Sequence, residues 1–211
     1  MLIQMDNKSD KLINMVLKHE SGYSMVIGDR GGETYRGITR KNFPNWNGWS
    51  IVDANKPLKN GNIIHDRRLE NDVFNFYYRY FYSPLKLDDI NNLLICGHLL
   101  CHSVNAGIKN GVKLLQKAIN DTYSININVD GCIGKQTINY TNGSMQNELC
   151  ENFIKRRKQY YVELVNKRPS QKKFLNGWLN RVDNTTKMCS KNDMLSSLLH
   201  SANGLLSNLF S

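Results

Sequence analysis

The chain has 211 residues, with 28 Lys+Arg against 18 Asp+Glu and a formal net charge of +10. Its hydrophobic content of 40% and aromatic content of 9% exclude an intrinsically disordered chain and allow a real core, in one domain or two closely joined small ones. No apolar run approaches the roughly 20 residues that span a bilayer, and the start lacks the basic-then-apolar order of a signal peptide, so synthesis in a cytoplasm is expected.

The first helix is expected over Asp6–Glu20, capped by Asp6 or Ser9, with Leu12, Met15, Val16 and His19 at helical spacing and Ser21-Gly22 as its stop. Tyr23 to Thr39 turns polar and Gly-dense, which suggests a small irregular β-hairpin. Thr39–Phe43 reads as a second short helix ended by Pro44, and Asn45–Asn62 as a long surface loop. Arg68–Tyr82 is expected to be a helix stopped by Pro84, and the nearly continuous apolar run Ile90–Val104 a buried central helix.

Further helices are expected over Ile108–Asn120, Leu149–Val165 and Phe174–Val182, with a tight turn at Asp130-Gly131. After a polar stretch from Thr185 to Asp193, the residues Leu195, Leu198, Leu199, Ala202, Leu206, Leu209 and Phe210 form one apolar helix face, expected to pack on the body in preference to serving as a membrane-surface or partner helix. Between Glu151 and Lys191 eleven Lys/Arg face three acids, a local net of 11 − 3 = +8. Such a balance suits nucleic acid, an anionic membrane surface or an acidic polymer, or serves only as a solvated basic face.

Five cysteines, Cys96, Cys101, Cys132, Cys150 and Cys189, contain no CxxC pair, so neither a disulfide framework nor a zinc knuckle is suggested. His98 and His102 stand four apart, the spacing of a metal pair, but no third ligand follows at a compatible spacing. They read as core or helix-surface histidines, and neither metal nor cofactor is expected.

The chemistry concentrates between His19 and Thr39. Glu20 stands at a helix C-terminus, where the negative end of the macrodipole disfavours ionisation, and Asp29 follows nine residues later across the Gly-rich hairpin. A protonated acid is what a glycosidic leaving oxygen requires, and a second acid across the cleft serves as base or nucleophile. Spacing alone also permits a solvated helix-end acid and an ordinary turn aspartate. Tyr23, Tyr35, Trp46, Trp49 and Tyr82 are candidates to stack on sugar rings or to pack locally.

The run His19-Glu20-Ser21-Gly22-Tyr23, followed by Asp29-Arg30-Gly31-Gly32-Glu33-Thr34-Tyr35-Arg36-Gly37-Ile38-Thr39, resembles the signature of glycoside hydrolase family 108. The likeness continues through Phe76-Tyr77-Tyr78-Arg79-Tyr80-Phe81-Tyr82-Ser83-Pro84 and Asn105-Ala106-Gly107, and in the second half through Val129–Thr137 and Gly177–Val182, similar to a predicted peptidoglycan-binding half. It implies a mainly α, lysozyme-like α+β fold: a bilobed helical body with a small β-hairpin beside the catalytic helix. The implied organisation is a catalytic half over residues 1–105, a peptidoglycan-binding half over 106–184 in the same body, and a polar linker with an amphipathic helix over 185–211.

On this resemblance Glu20 matches the general acid of an N-acetylmuramidase that cleaves the β-1,4 bond between N-acetylmuramic acid and N-acetylglucosamine. Asp29 and Thr34 echo the acid and threonine that position water in T4-type phage lysozymes, and Tyr23, Tyr35, Trp46, Tyr82 and Asn105 are the expected substrate contacts. Ser21 replaces a Gly of the family pattern, Val26 stands where many relatives have Asp, and Cys101 stands where they often have Asp. These departures leave a rival reading, a non-enzymatic wall-binding or secretion-assisting protein with a degenerate site. Bacterial peptidoglycan is the expected partner, with no nucleic acid and no integral membrane span. Without a signal peptide, release to the wall through a holin or a secretion system is expected.

Overall fold

The computed structural model describes residues 7–25 and 32–190. The backbone forms two compact units, residues 1–83 and 84–211.

In the first unit, α1 spans Lys8–Leu17 and turns Leu12, Ile13, Met15 and Val16 into the core. Asn7 occupies its N-cap in extended backbone without a side-chain cap bond, Ser9 lies inside the helix and is buried, and Asp6 lies outside the described residues. The helix stops at Leu17 and the chain leaves it through a turn, placing Glu20 past its end.

The expected hairpin is a three-stranded antiparallel sheet of β1 (Tyr23–Ser24), β2 (Thr34–Tyr35) and β3 (Ile38–Thr39), with Tyr23 opposite Tyr35 and Tyr35 opposite Ile38. The segment at Gly61-Asn62 lies along β1: Tyr23 N donates to Asn62 O at 2.7 Å and Gly61 N to Tyr23 O at 2.7 Å.

Two sequence expectations fail here. Thr39–Phe43 is not a helix: Thr39 ends β3, and its carbonyl accepts from Asn42 N at 3.2 Å and Phe43 N at 3.0 Å in one turn that Pro44, with no N–H, does not continue. The supposed loop at Asn45–Asn62 contains helix α2 over Gly48–Ala54, formed because Trp49 and Val52, three apart, both face the core.

Helix α3 spans Arg67–Tyr77, with the Asp66 carboxylate accepting from Arg68 N and Leu69 N at its N-cap. It passes into a π-helical turn over Tyr78–Tyr82, closed by Ser83 N donating to Tyr78 O at 2.9 Å.

The second unit is helical. Helix α4 (Leu93–Ala106) is buried on nearly every side, α5 covers Ile108–Tyr123, α6 Lys135–Thr141 and α7 Gln146–Lys167. Helices α4 and α5 touch closely because residue 111 is Gly: a Cβ there would run into the Ser103 hydroxyl. The turn at Asp130-Gly131 is tied to α5 by Gln116, which donates to Asp130 Oδ1 at 2.8 Å and accepts from Gly131 N at 2.9 Å. Residues 169–174 form a 3-10 turn and residues 175–190 a final described helix, α8, so residues 185–190 continue a helix instead of opening a polar linker. Thr185 and Cys189 on it are buried. The apolar face expected over Leu195–Phe210 lies outside the described residues. No helix of the described residues is long and apolar enough to cross a membrane.

At the core of this unit Arg157 of α7 is fully buried, and its leading electrostatic partners are Cys101, Tyr161 and Cys189 instead of a carboxylate. Its guanidinium hydrogen-bonds His98 Nδ1. A guanidinium only donates, so Nδ1 accepts, the His98 proton sits on Nε2, and that nitrogen donates to Thr186 Oγ1 at 3.0 Å. His102, one turn along α4, packs edge-on against Tyr160. The two histidines are therefore core residues, both held neutral by burial with the Arg157 charge adding to the effect.

Burial brings the His102 pKa from 6.5 down to about 3. Between these values the unfolded chain binds a proton that the folded chain refuses, so stability is complete above about 6.5 and drains as pH falls, by about 1.4 kcal/mol per pH unit for such a group. Thermal melts taken from about pH 7.5 down to about 4.5 should shift to lower temperature. His102→Leu should reduce that slope, and an equally steep slope in the variant would refute the assignment.

Candidate active site

Glu20 is half-buried and emerges where α1 has ended, its N–H reaching back to Leu17 O at 3.3 Å. Arg36 grips this segment from both ends. Its side chain donates to Leu17 O at 3.5 Å and its backbone N–H to Gly22 O at 3.2 Å, bracketing the residue between. Arg36 and Gly37 are the two residues linking β2 to β3, with φ of 48° and 79°. Consecutive positive φ values mark the tight hairpin turn whose twist matches the strands, and for a non-Gly residue such as Arg36 that backbone is strained.

Tyr77, buried at the end of α3, holds the turn by donating its hydroxyl to Arg36 O at 2.7 Å. The Glu20 carboxylate reaches the same spot: a Cβ added at Gly37 would lie 2.8 Å from Glu20 Oε2 and 2.6 Å from the Tyr77 hydroxyl. Residue 37 is thus glycine for two independent reasons, its φ and the space the acid and phenol occupy. Ser21, which replaces a Gly of the family pattern, has no positive φ and is accommodated without backbone strain.

The return of the hairpin is anchored by charge. Glu33 pairs with Arg40 and, at 2.7 Å, with Lys56, while Asp53 receives Arg40 at 2.6 Å and Lys56 at 2.8 Å. Burial acts to raise the Glu33 pKa, but hydrogen bonds from Lys56 and Arg40 outweigh it and hold the carboxyl below its ordinary range. Glu33 is therefore a locked anion that braces the sheet against α2. The Tyr23 phenol is pushed up by burial and by its hydrogen bond to Glu33.

The remaining expected site residues separate clearly. Thr34 lies on β2 beside Tyr35, half-buried, with its hydroxyl donating to Gly32 O at 3.4 Å. Asp29 and Val26 lie outside the described residues. Tyr23, Tyr35 and Tyr82 are buried, and the Tyr35 hydroxyl is taken up by Ile64, accepting from its N–H at 3.0 Å, so these three rings are packed within the unit and are not open stacking platforms. Trp49 is buried too, under the Arg40 guanidinium at 4.2 Å. Trp46 is half-buried, stacked on Tyr35 with 6.4 Å between centroids, and donates its indole N–H to Asp72 O at 3.3 Å.

Asn105 is on α4 in the second unit, where it donates to Cys101 O at 2.8 Å and accepts from Arg181 at 2.8 Å, joining α4 to α8. Tyr77, Arg36, Gly37 and Glu33 were not singled out for roles by sequence, although all lie in the motifs quoted above. The only available signal was their position there, since nothing in residue type marks Tyr77 apart from its aromatic neighbours. Among the described residues no group of three or more His, Cys, Asp or Glu is arranged to hold a metal ion.

Comparison with known proteins bears on this arrangement. Residues 13–107 match the family model described as glycosyl hydrolase 108, and residues 110–183 match the predicted peptidoglycan domain. No curated protein matches the chain. Among solved structures, the chain is similar to the Brucella abortus SagA structure, with a TM-score of 0.60 and 20% identity over 87% of this chain and 94% of that one. That likeness is one of fold, in keeping with a mainly helical, lysozyme-like chain bearing one small sheet. With residues 13–107 matching the hydrolase model and residues 110–183 the wall domain, the chain carries a glycosyl hydrolase 108 region followed by a predicted peptidoglycan domain, and it is a peptidoglycan hydrolase.

Proposed function

We propose that the protein is an N-acetylmuramidase that cleaves the β-1,4 bond between N-acetylmuramic acid and N-acetylglucosamine, with Glu20 as general acid. The observation that supports this most directly is the seating of Glu20 against the Arg36-Gly37 turn, in the segment matched by the hydrolase model. The Glu20 carboxylate lies against a turn that Tyr77 and Arg36 fix through the Arg36 carbonyl and Leu17 O, and such preorganisation is what makes proton delivery to a leaving oxygen efficient. Asp29, assisted by Thr34, holds the attacking water on the opposite face of the sugar in this reading. Glu33 does not compete for that role, because Arg40 and Lys56 occupy its oxygens.

The cationic second half adds a long-range attraction to the anionic wall, to be weakened by salt. Synthesis in the cytoplasm and release to the wall through a holin or a secretion system complete the proposal.

Glu20→Gln should lower release of reducing ends from purified peptidoglycan by about 10²–10⁴-fold while leaving fold and wall binding intact. Muramic-acid ends, identified by mass spectrometry, should come from the wild type alone, and undiminished release by the variant would remove Glu20 from the mechanism. Gly37→Ala should cost on the order of a hundredfold in turnover by displacing the carboxylate. Tyr77→Phe should cost about 1–2 kcal/mol of stability through the Arg36 carbonyl left without its donor, as read by denaturant titration.

A further inference from the structure

A concave site lies in the first unit beside Phe76, the residue before Tyr77. It encloses about 220 Å³ and is lined by Asn42, Phe43, Asn45, Trp46, Phe76 and Tyr80, among others, none of them charged. Its aromatic floor is fixed. Phe43 meets Phe76 edge-on at 4.6 Å and Tyr80 at 5.1 Å, Phe76 meets Tyr80 at 4.7 Å, and Trp46 is held by its bond to Asp72 O. Tyr80 is nonetheless 45% exposed, and the carboxamides of Asn42 and Asn45 are exposed and carry no hydrogen bond within the described residues.

We infer that this pocket is a glycan-binding site, distinct from the position of Glu20, that takes one N-acetylhexosamine unit of a wall strand. The inference rests on the hydrolase reading above for the identity of the ligand and on the following features for the site. The volume falls below the ~300–1,000 Å³ that encloses drug-sized ligands, which suits a single sugar. Aromatic faces accept the apolar C–H face of a pyranose, and two carboxamides, each with donors and an acceptor, match its hydroxyls and acetamido group. A lining without charge disfavours phosphate or the ionised ends of a stem peptide, whose burial here would go unpaired.

Rigidity supports affinity, since fixed rings lose little freedom on binding. The pocket also shares its elements with the acid. Phe76 faces the pocket while the next residue, Tyr77, faces Gly37 and Glu20, and Trp46 stacks on Tyr35, which leads into the Arg36-Gly37 turn. A sugar seated here is therefore held at a fixed distance from the catalytic acid by α3 and β2.

The test is an NMR titration of ¹⁵N-labelled Glu20→Gln protein with the tetramer of β-1,4-linked N-acetylglucosamine, with the glucose tetramer as control. The side-chain amide signals of Asn42 and Asn45 and the Trp46 indole signal should shift with the acetylated tetramer and not with the control. Tyr80→Ala and, separately, Asn45→Ala at an exposed position should each weaken the affinity read at the remaining pocket signals by about threefold or more. Shifts confined to Gly37 and its neighbours, or an affinity unchanged in both variants, would overturn the pocket assignment. Pocket signals that move while wild-type protein releases no reducing ends would uphold the site and overturn the catalytic reading instead, so the two failures are distinguishable.

Discussion

A carboxylate, a phenol and a β-turn converge on one point in the first unit, and they fit together because residue 37 has no Cβ. The Glu20 oxygen and the Tyr77 hydroxyl both stand within 3 Å of where that atom would be. The close approach then propagates outward. Arg36 is driven into left-handed backbone beside Gly37, and the strain is offset by bonds the turn makes elsewhere: its carbonyl takes the Tyr77 hydroxyl, its N–H meets Gly22 O and its guanidinium meets Leu17 O. These contacts join α1, the sheet and α3, so the piece of chain carrying Glu20 is fixed by three elements although it belongs to none.

The two units manage charge inside the fold in opposite ways. Around the sheet, Glu33 and Asp53 are paired with Arg40 and Lys56, and at the largely enclosed Glu33 these pairs outweigh the cost of burial, so that the carboxyl remains ionised. In the second unit Arg157 is fully enclosed with no carboxylate among its leading partners, and the surroundings adapt to it: His98 gives up its Nδ1 lone pair and stays neutral, and His102 stays neutral beside it. Cys101, where relatives often carry Asp, is one of the groups closest to Arg157 electrostatically. The departure noted in sequence therefore falls on the packing of a buried cation.

Periodicity served best where one face was plainly apolar. Helix α4 is legible because Leu94, Ile95, Leu99 and Leu100 leave no polar side, and α5 and α7 because their core residues recur at helical spacing. It failed in the stretch from Thr39 to Asn62, where short elements give too few repeats. Seven residues of α2 offer only Trp49 and Val52 as core positions, and the single turn after β3 imitates a helix start until Pro44 ends it.

That Glu20 stands near the end of the first helix and before a small sheet was legible in the motif around it, although the helix stops at Leu17 and not at Glu20. Its partners were not, because Arg36, Tyr77 and the ion network join residues separated by up to 41 positions, and pairing at that range leaves no local spacing to read. The burial of Tyr23, Tyr35 and Tyr82 was equally hidden. Residue type marks a tyrosine as able to stack on a sugar, and only the fold decides whether its face reaches solvent.

The π-helical turn explains how one aromatic run serves two purposes. Phe76, Tyr77, Tyr80 and Tyr82 are close in sequence, yet Tyr77 and Tyr82 are buried while Tyr80 is open at the edge of the pocket. In a regular helix residues 77 and 82, five apart, point about 140° away from each other and would not both be enclosed on one side. Widening the helix over Tyr78–Tyr82 reduces that divergence, as its i→i+5 bond from Ser83 N to Tyr78 O indicates. The same widening leaves Tyr80 beside Phe43 and Phe76. Insertion of the extra residue per turn thus separates the ring that fixes the turn beside Glu20 from the ring that faces solvent, and it does so within five residues of one element.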